Sequence, residues 1–149
     1  MNLFGLLDLS ASALTAERQR AEVVTSNLAN VQTTRTPEGG PYRRQLVVFR
    51  AQPLPQFPFL LASLGSFPAG LNGARGVGVA EVAPDPSPAI ERYQPGHPDA
   101  DQQGYVAYPN IDPVAEMTDL LGAVRAYELN ASAVQAAKTM IQNSLDILR

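Results

Sequence analysis

The sequence predicts a mainly α-helical fold with a small β-rich insert. Long N- and C-terminal helices are expected to pair as an antiparallel, coiled-coil-like hairpin, with a β-hairpin and loops between them. All thirteen prolines lie from Pro37 to Pro113, and nine of the eleven glycines lie from Gly39 to Gly104. Because both residues destabilise helix interiors, only the two ends of the chain can form long helices.

Both ends also carry apolar residues at helical spacing, which is the second observation behind this prediction. We therefore interpret residues 1–149 as a single domain with three parts. These are an N-terminal helix at about 3–30, a β-rich and loop segment at 31–111, and a C-terminal helix at about 113–148.

The N-terminal helix would be roughly 42 Å long at ~1.5 Å per residue. Some of its apolar residues repeat every seven positions, which favours supercoiled packing against another helix. The residues in this repeat are Leu7, Leu14, Ala21 and Leu28. Two asparagines, Asn27 and Asn30, lie near the predicted end of the helix.

The middle segment begins with a turn-rich loop and continues with YRRQLVVFRA, which alternates and is rich in β formers. This pattern predicts a strand at about 42–51, and GVGVAEVA predicts a second strand at about 76–83 that could pair with it. Arg43 and Arg44 are expected to be solvated residues of the first strand or contacts to an acidic partner. The proline-rich stretch 52–75 between the strands has no role that the sequence indicates.

The C-terminal helix begins at Pro113, where proline is well tolerated, and Asp112 is placed to cap its first turn. Its apolar side chains are separated by three, four and seven residues, which indicates one stripe along a helix. The stripe consists of Val114, Met117, Leu121, Val124, Ala131, Val134, Ile141, Leu145 and Leu148.

The length of this helix points to partners outside the chain. About 36 residues span roughly 54 Å, whereas a compact domain of this size has a radius of gyration near ~15 Å. One face is expected to pack on the N-terminal helix. The remaining apolar surface, together with small residues in both helices, is expected to pack against other molecules.

Composition and charge exclude several kinds of function. A net charge of −3 and a pI of about 5.0 argue against nucleic-acid binding. The absence of cysteine excludes disulfides, thiolate catalysis and cysteine-ligated zinc. The N-terminus lacks a basic region and contains Asp8 in its apolar run, so we expect no cleaved signal peptide. We also expect no direct membrane insertion, because the longest apolar inner stretch is short and broken by proline.

The only histidine, His97, lies in PGHPDAD close to Asp99 and Asp101. These side chains could suggest a metal-dependent enzyme centred on His97. However, Pro95 and Pro98 constrain a turn here, zinc sites usually need three protein ligands in a defined geometry, and aspartates commonly cap the backbone of turns. We therefore favour a structural turn.

No other motif predicts catalysis or a cofactor. Gly73, Gly76 and Gly78 do not have the spacing of a phosphate-binding loop, and no GK[ST] follows them. With one histidine and no cysteine, the usual nucleophile–base pairs are scarce. We predict a non-enzymatic protein without catalytic, metal or cofactor-binding residues and without a cofactor.

Both ends of the chain resemble bacterial flagellar axial proteins, the family of rod, hook and hook-associated subunits. SALTAERQRAEVVTSNLANVQTT is similar to the N-terminal signature of this family, with Asn27-Leu28-Ala29-Asn30 at its centre. The stretch from YQPGHPDADQQGYVAYPN to the C-terminus resembles the short proximal-rod subunits. The matching residues there are Glu116, Met117, Arg125, Tyr127, Asn130, Lys138 and Met140.

The resemblance implies a structural subunit of the flagellar basal-body proximal rod. Such subunits self-assemble through their terminal helices into a hollow drive shaft that transmits torque and is needed for motility. The implied partners are other flagellar rod subunits, copies of the chain itself and, during secretion, the flagellar type III export apparatus. The implied location is the rod in the periplasm, reached without a cleaved signal peptide.

Two alternatives stay open at this point, namely another short proximal-rod subunit and a cytosolic helical adaptor or chaperone of flagellar export. For the rod subunit, we expect an assembly interface on both helices. The expected interface residues are Leu7, Leu14, Ala21, Asn27, Leu28, Asn30, Met117, Leu121, Val124, Arg125, Tyr127, Asn130, Val134 and Ile141.

Overall fold

The computed structural model of the chain describes residues 3–53 and 75–147. The proline-rich stretch of the sequence therefore lies almost entirely outside the described residues. In chain order the elements are α1 (Leu3–Ala29), β1 (Gln45–Pro53), β2 (Arg75–Pro84), β3 (Ile90–Tyr93), β4 (Tyr105–Tyr108) and α2 (Pro113–Ile147). Two long helices and two small antiparallel sheets confirm the broad prediction of helical ends and a β-rich middle.

The two helices pack against each other, and α1 is the only one of these elements that α2 contacts extensively within the described chain. Near the end of α1, Asn27 meets Glu116 at the start of α2, and Arg20 meets Asp119 one turn further along α2. The two helices therefore run antiparallel at this end. The coiled-coil geometry of the pair stays a prediction.

The buried face of α2 is lined by alanine. Ala123 and Ala137 are fully buried, and their small side chains allow the backbone of α1 to approach closely. On α1 the buried residues include Ser10 and Val24, which are also small or medium in size. Because α1 is the helix that covers this face, we call the contact the alanine seam.

The predicted apolar stripe of α2 does not lie on one face, so this part of the prediction is wrong. Its first members, from Val114 to Val124, are exposed, whereas Ala131, Val134 and Ile141 are half-buried toward α1. At about 100° per residue, Val134 lies about 140° around the helix from Leu121. Between these two residues, two gaps of three residues each fall about 60° short of a full turn, and one gap of seven falls about 20° short of two turns, so the stripe drifts around the helix.

The first hairpin pairs β1 and β2, with a register from Gln45 opposite Pro84 to Pro53 opposite Arg75. Ala80 is an extra residue on β2, where the register shifts between Val48 and Phe49. The predicted pairing of two strands is confirmed, although β1 begins three residues later than expected. Both strands contact α1.

The second hairpin, β3 and β4, pairs Ile90 with Tyr108 and Tyr93 with Tyr105. The sequence predicted only short extended pieces here. Within the described residues, neither strand packs extensively on another helix or strand. The hairpin is instead fastened through its loop, where Asp99 accepts a hydrogen bond from Thr34 at 2.8 Å and lies 3.8 Å from Arg35.

Candidate assembly interface

Asn27 is the centre of a buried polar cluster that joins three elements. It is 1% exposed, and its amide nitrogen donates to the carbonyl oxygen of Gln45 at 2.9 Å and to the Glu116 carboxylate at 3.1 Å. Its oxygen accepts from the backbone N–H of Gln45 at 2.9 Å and from the Tyr42 hydroxyl at 3.1 Å. Two donors and two acceptor sites are all that an asparagine side chain offers, so Asn27 is fully satisfied.

Glu116 is the negatively charged residue of this cluster. It is 1% exposed, and its Oε1 accepts a hydrogen bond from Nε of Arg44 at 2.6 Å. The other oxygen binds Asn27. Such a buried carboxylate is tolerated because a guanidinium and an amide replace its water. We call Asn27, Tyr42, Arg44 and Glu116 the polar clamp, because they hold the end of α1, the entry to β1 and the start of α2 together.

Further charges surround the polar clamp. Arg44 lies 3.8 Å from both Asp85 and Asp119, and Asp119 also accepts from Arg20 at 3.3 Å. The pKa of Asp85 lies below its usual value, mainly because the side chain and backbone of Ser87 donate to its carboxylate, with Arg44 adding a weaker attraction. Arg44 was expected to be a solvated strand residue or a contact to an acidic partner. Its acidic contacts instead lie within its own chain, in the clamp, whereas Arg43 is exposed.

On α1, the structure places the expected interface residues mostly against the chain itself. Asn27 is buried in the polar clamp, and Asn30 is half-buried, donating to Ser26 at 2.9 Å and accepting from Thr33 at 3.2 Å. The heptad residues are half-buried and so leave only part of their surface to a neighbour. These residues are Leu7, Leu14, Ala21 and Leu28.

On α2, most of the expected interface residues lie on the surface. Met117 is 56% exposed and Leu121 58% exposed, and Val124, Arg125 and Tyr127 are exposed as well. The other three, Asn130, Val134 and Ile141, are half-buried, and the Asn130 amide donates to its own helix at Ala126. Four further apolar residues of this helix are exposed but were not among the expected interface residues, although Val114 and Leu145 belong to the predicted stripe. They are Val114, Leu129, Met140 and Leu145.

The exposed stripe and the alanine seam lie on opposite sides of α2. Leu121 and the fully buried Ala123 are two residues apart, so their side chains point about 160° apart around the helix. Val114, Met117, Leu121 and Val124 recur at gaps of three and four and form one strip, which we call the outer stripe. Contiguous apolar surface of this kind is typical of protein contacts.

A groove of about 310 Å³ opens beside the polar clamp, between α1, β1 and the start of α2. Its apolar walls come from Val23, Val24, Val47 and Phe49. Phe49 is 38% exposed, so this groove extends the apolar surface beyond the helices.

The loop around His97 is a structural turn, as predicted. The backbone N–H of Asp99 donates to Nδ1 of His97 at 3.1 Å, and Oδ1 of Asp101 accepts from the N–H groups of Gln103 and Tyr105, both at 2.8 Å. These side chains therefore cap local backbone. Within residues 3–53 and 75–147, no three side chains of His, Asp or Glu are grouped as ligands for a metal ion.

The glycines considered for a phosphate loop lie elsewhere in the fold. Gly76 and Gly78 are residues of strand β2, and a Cβ on Gly78 would lie 2.6 Å from the side chain of Gln52. Gly73 lies outside the described residues. As to membranes, neither described helix combines the length and the apolar character that spanning a bilayer requires.

Comparison with known proteins identifies the family. Residues 7–35 match the family model described as flagella basal body rod protein. Residues 102–147 match the model described as flagellar basal body rod FlgEFG protein C-terminal. The first match contains the Asn27 signature, and the second contains the loop after Asp101, strand β4 and helix α2.

Whole-chain relatives carry one name. The chain is 41% identical to the flagellar basal-body rod protein FlgC of Borreliella burgdorferi, over 100% of this chain and 99% of the relative. It is 42% identical to FlgC of Bacillus subtilis, over 99% of each chain. It is 37% identical to FlgC of an Escherichia coli strain, over 99% of this chain and 98% of the relative. The chain therefore belongs to the FlgC family of flagellar basal-body rod proteins.

Proposed function

We propose that this chain is a non-enzymatic structural subunit of the proximal rod of the flagellar basal body. Its function is to pack with other rod subunits and with copies of itself into a hollow shaft that transmits torque and is required for motility. Residues 1–149 act in this assembly as one domain, with the two helices forming the contacts between subunits. Family membership supports the rod assignment, and the outer stripe supports the mode of assembly.

The observation that carries the proposal is the outer stripe on α2. Four apolar side chains at helical spacing lie in solvent, on the side of the helix that α1 does not cover. Burying a side chain the size of leucine contributes ~1.5–3 kcal/mol before the cost of ordering is subtracted. A neighbouring helix that covered the stripe would therefore gain several such contributions.

The N-terminal half of the interface is smaller in this proposal than the sequence suggested. Asn27 acts inside the subunit, where it orients the helices that neighbours contact. The half-buried heptad residues of α1 offer their outer edges to neighbours. The main contact surface is then the outer stripe, extended by Arg125, Tyr127 and the exposed residues beyond them on α2.

The test is the variant Leu121→Asp. Because Leu121 is 58% exposed, the isolated chain is expected to keep its circular dichroism spectrum. A charge on the outer stripe is expected to reduce the amount of chain in purified basal bodies about tenfold or more and to abolish swimming. Gln32→Glu, which adds a charge at an exposed turn, serves as the control and should assemble normally. Normal rods from Leu121→Asp would overturn the proposal.

We also propose that the chain leaves the cytoplasm through the flagellar type III export apparatus, without a cleaved signal peptide, and resides in the periplasmic part of the rod. Cell fractionation of strains with and without a functional export apparatus tests this route. The chain should copurify with basal bodies in the first strain and remain cytoplasmic, at its full mass, in the second. A cytosolic adaptor or chaperone would remain cytoplasmic in both.

A further inference from the structure

One face of the second hairpin is largely exposed in the isolated subunit. Glu91 and Tyr93 on β3 lie opposite Ala107 and Tyr105 on β4, so these four side chains share one side of the sheet. Tyr93 is 65% exposed, and Tyr105 and Glu91 are also exposed. The opposite side contains the buried Val106 and the half-buried Tyr108, together with the exposed Ile90 and Arg92. We call Glu91, Tyr93, Tyr105 and the half-buried Ala107 the tyrosine face.

The tyrosine face is held in a defined geometry although it is exposed. The rings of Tyr93 and Tyr105 meet edge to face, with centroids 5.4 Å apart and planes at 64°. Gly104 has a φ of +87°, and a Cβ there would lie 2.9 Å from the Tyr93 ring. The ring therefore rests directly on the Gly104 backbone. An exposed aromatic side chain that is already ordered loses little entropy on binding, which is typical of interface anchors.

Because Glu91 is negatively charged, this face favours a cationic group as its ligand. Glu91 lies beside the two rings and forms no salt bridge with another described residue. Ring faces and a carboxylate both attract a guanidinium group. The other side of the same sheet already shows this chemistry, because the guanidinium carbon of Arg92 lies 4.9 Å from the centre of the Tyr108 ring.

The chain carries a complementary surface on its first hairpin. Val48 and Arg50 are two residues apart on β1 and so project on the same side of that strand. Both are exposed, and Arg50 forms no salt bridge with another described residue. Arg50 lies opposite Gly78, and the side chain of Gln52 fills the space above that glycine. Glu81 lies opposite Val48 and is exposed on the same side of the sheet, so Val48 and Arg50 offer an apolar and a cationic contact beside a carboxylate.

We propose that the tyrosine face of one subunit docks onto Val48 and Arg50 of a second copy of this chain. This inference rests on the proposed function, because it requires several copies side by side in the rod. The contact joins different surfaces of the two copies, so it is heterologous and can repeat around a ring or along a helix. It would also support the second hairpin, since an isolated two-stranded sheet is marginal in water.

Charge reversal in cells tests the contact. Glu91→Arg and Arg50→Glu are each expected to lower the amount of chain in purified basal bodies about tenfold or more, because like charges would then meet. The double variant should recover most of the loss. Glu38→Arg, at an exposed turn away from both surfaces, is the control. Tyr93→Phe should assemble normally, because the ring remains.

Disulfide cross-linking gives a second readout, and the chain has no native cysteine to interfere. Basal bodies that contain Glu91→Cys with Arg50→Cys should yield cross-linked copies of this chain on oxidation, and either variant alone should not. Absence of both the cross-link and the charge-swap rescue would overturn the contact. If Leu121→Asp still blocks assembly in that case, the proposed rod function stands without it.

Discussion

The side-chain amide of Asn27 donates a hydrogen bond to the carboxylate of Glu116 at 3.1 Å, although 89 residues separate them in the chain. Both side chains are almost completely buried. The contact ties the end of the first helix to the start of the last one, and Arg44 completes it from the first hairpin. A buried polar contact with every group satisfied allows only one alignment of its partners, so the polar clamp sets the register of the helix pair.

Asn27→Ala is expected to destabilise the chain by about 2–4 kcal/mol. The substitution leaves the hydroxyl of Tyr42, the backbone of Gln45 and one oxygen of Glu116 without their partner in a buried site. Urea denaturation followed by circular dichroism measures the change. Asn143→Ala, at an exposed position of α2, is the control and should change stability by less than about 0.5 kcal/mol. Equal effects of the two variants would contradict the clamp.

The alanine seam predicts different effects on stability for the same substitution at two neighbouring alanines. Ala137 is 0% exposed, whereas Ala136 is exposed on the same turn of α2. Ala137→Leu should force α1 away and cost about 1–3 kcal/mol through overpacking. Ala136→Leu should be within about 0.5 kcal/mol of the parent. Thermal unfolding of both variants measures the difference, and a tolerated leucine at Ala137 would show that the seam is loosely packed.

Gly104→Ala is expected to disturb the second hairpin. It would place a side chain where φ is +87° and where the Tyr93 ring lies 2.9 Å away. A cost of about 1–3 kcal/mol is expected for the local structure, with altered NMR shifts for the Tyr93 ring. Gly96→Ala is the matched control in the same loop, because its Cβ would meet nothing within 4 Å. Similar spectra for the two variants would contradict the close packing.

Hydrogen exchange of the dilute chain should show a gradient along α2. Helix α2 has 35 residues and α1 has 27, so α2 extends about 12 Å beyond its partner. Residues 142–146, far from the polar clamp, are exposed. Their amides are expected to exchange fast in the isolated chain and slowly in intact basal bodies, while amides near Ala123 are protected in both. Full protection along the whole helix in the dilute chain would contradict a need for partners.

The sequence predicted the helices well and their packing poorly. The helix ends agree because proline and glycine limit where long helices can form. The face of α2 that α1 covers was predicted wrongly, because periodicity identifies apolar residues but does not show which of them pack against the other helix. Leu121 belongs to the predicted stripe and is exposed, whereas Ala137, which the stripe does not include, is buried. Closely packed helix backbones favour alanine at their contact. Because alanine is only weakly hydrophobic, such a contact face is hard to recognise from hydrophobic periodicity.

The polar clamp was beyond single-sequence reasoning for a different reason. Glu116 entered as a residue that matches a family pattern, and Arg44 was expected to be solvated or to contact an acidic partner. Their contact joins positions 72 residues apart, and no local spacing encodes such a pair. Asn27 was singled out by the signature around it, but the signature does not tell whether the side chain faces a neighbour or its own chain.

The alanine seam and the outer stripe lie on opposite sides of α2, so one side of the helix packs on α1 and the other is exposed. With the outer stripe as the proposed contact surface, substitutions in the alanine seam are expected to change the stability of the subunit, and substitutions in the outer stripe to change which neighbours it accepts. The proposed contact surface could then vary from one rod to another while the helix pair beneath it stays intact. A designer could likewise alter the binding preference of this subunit on α2 without having to rebuild its core.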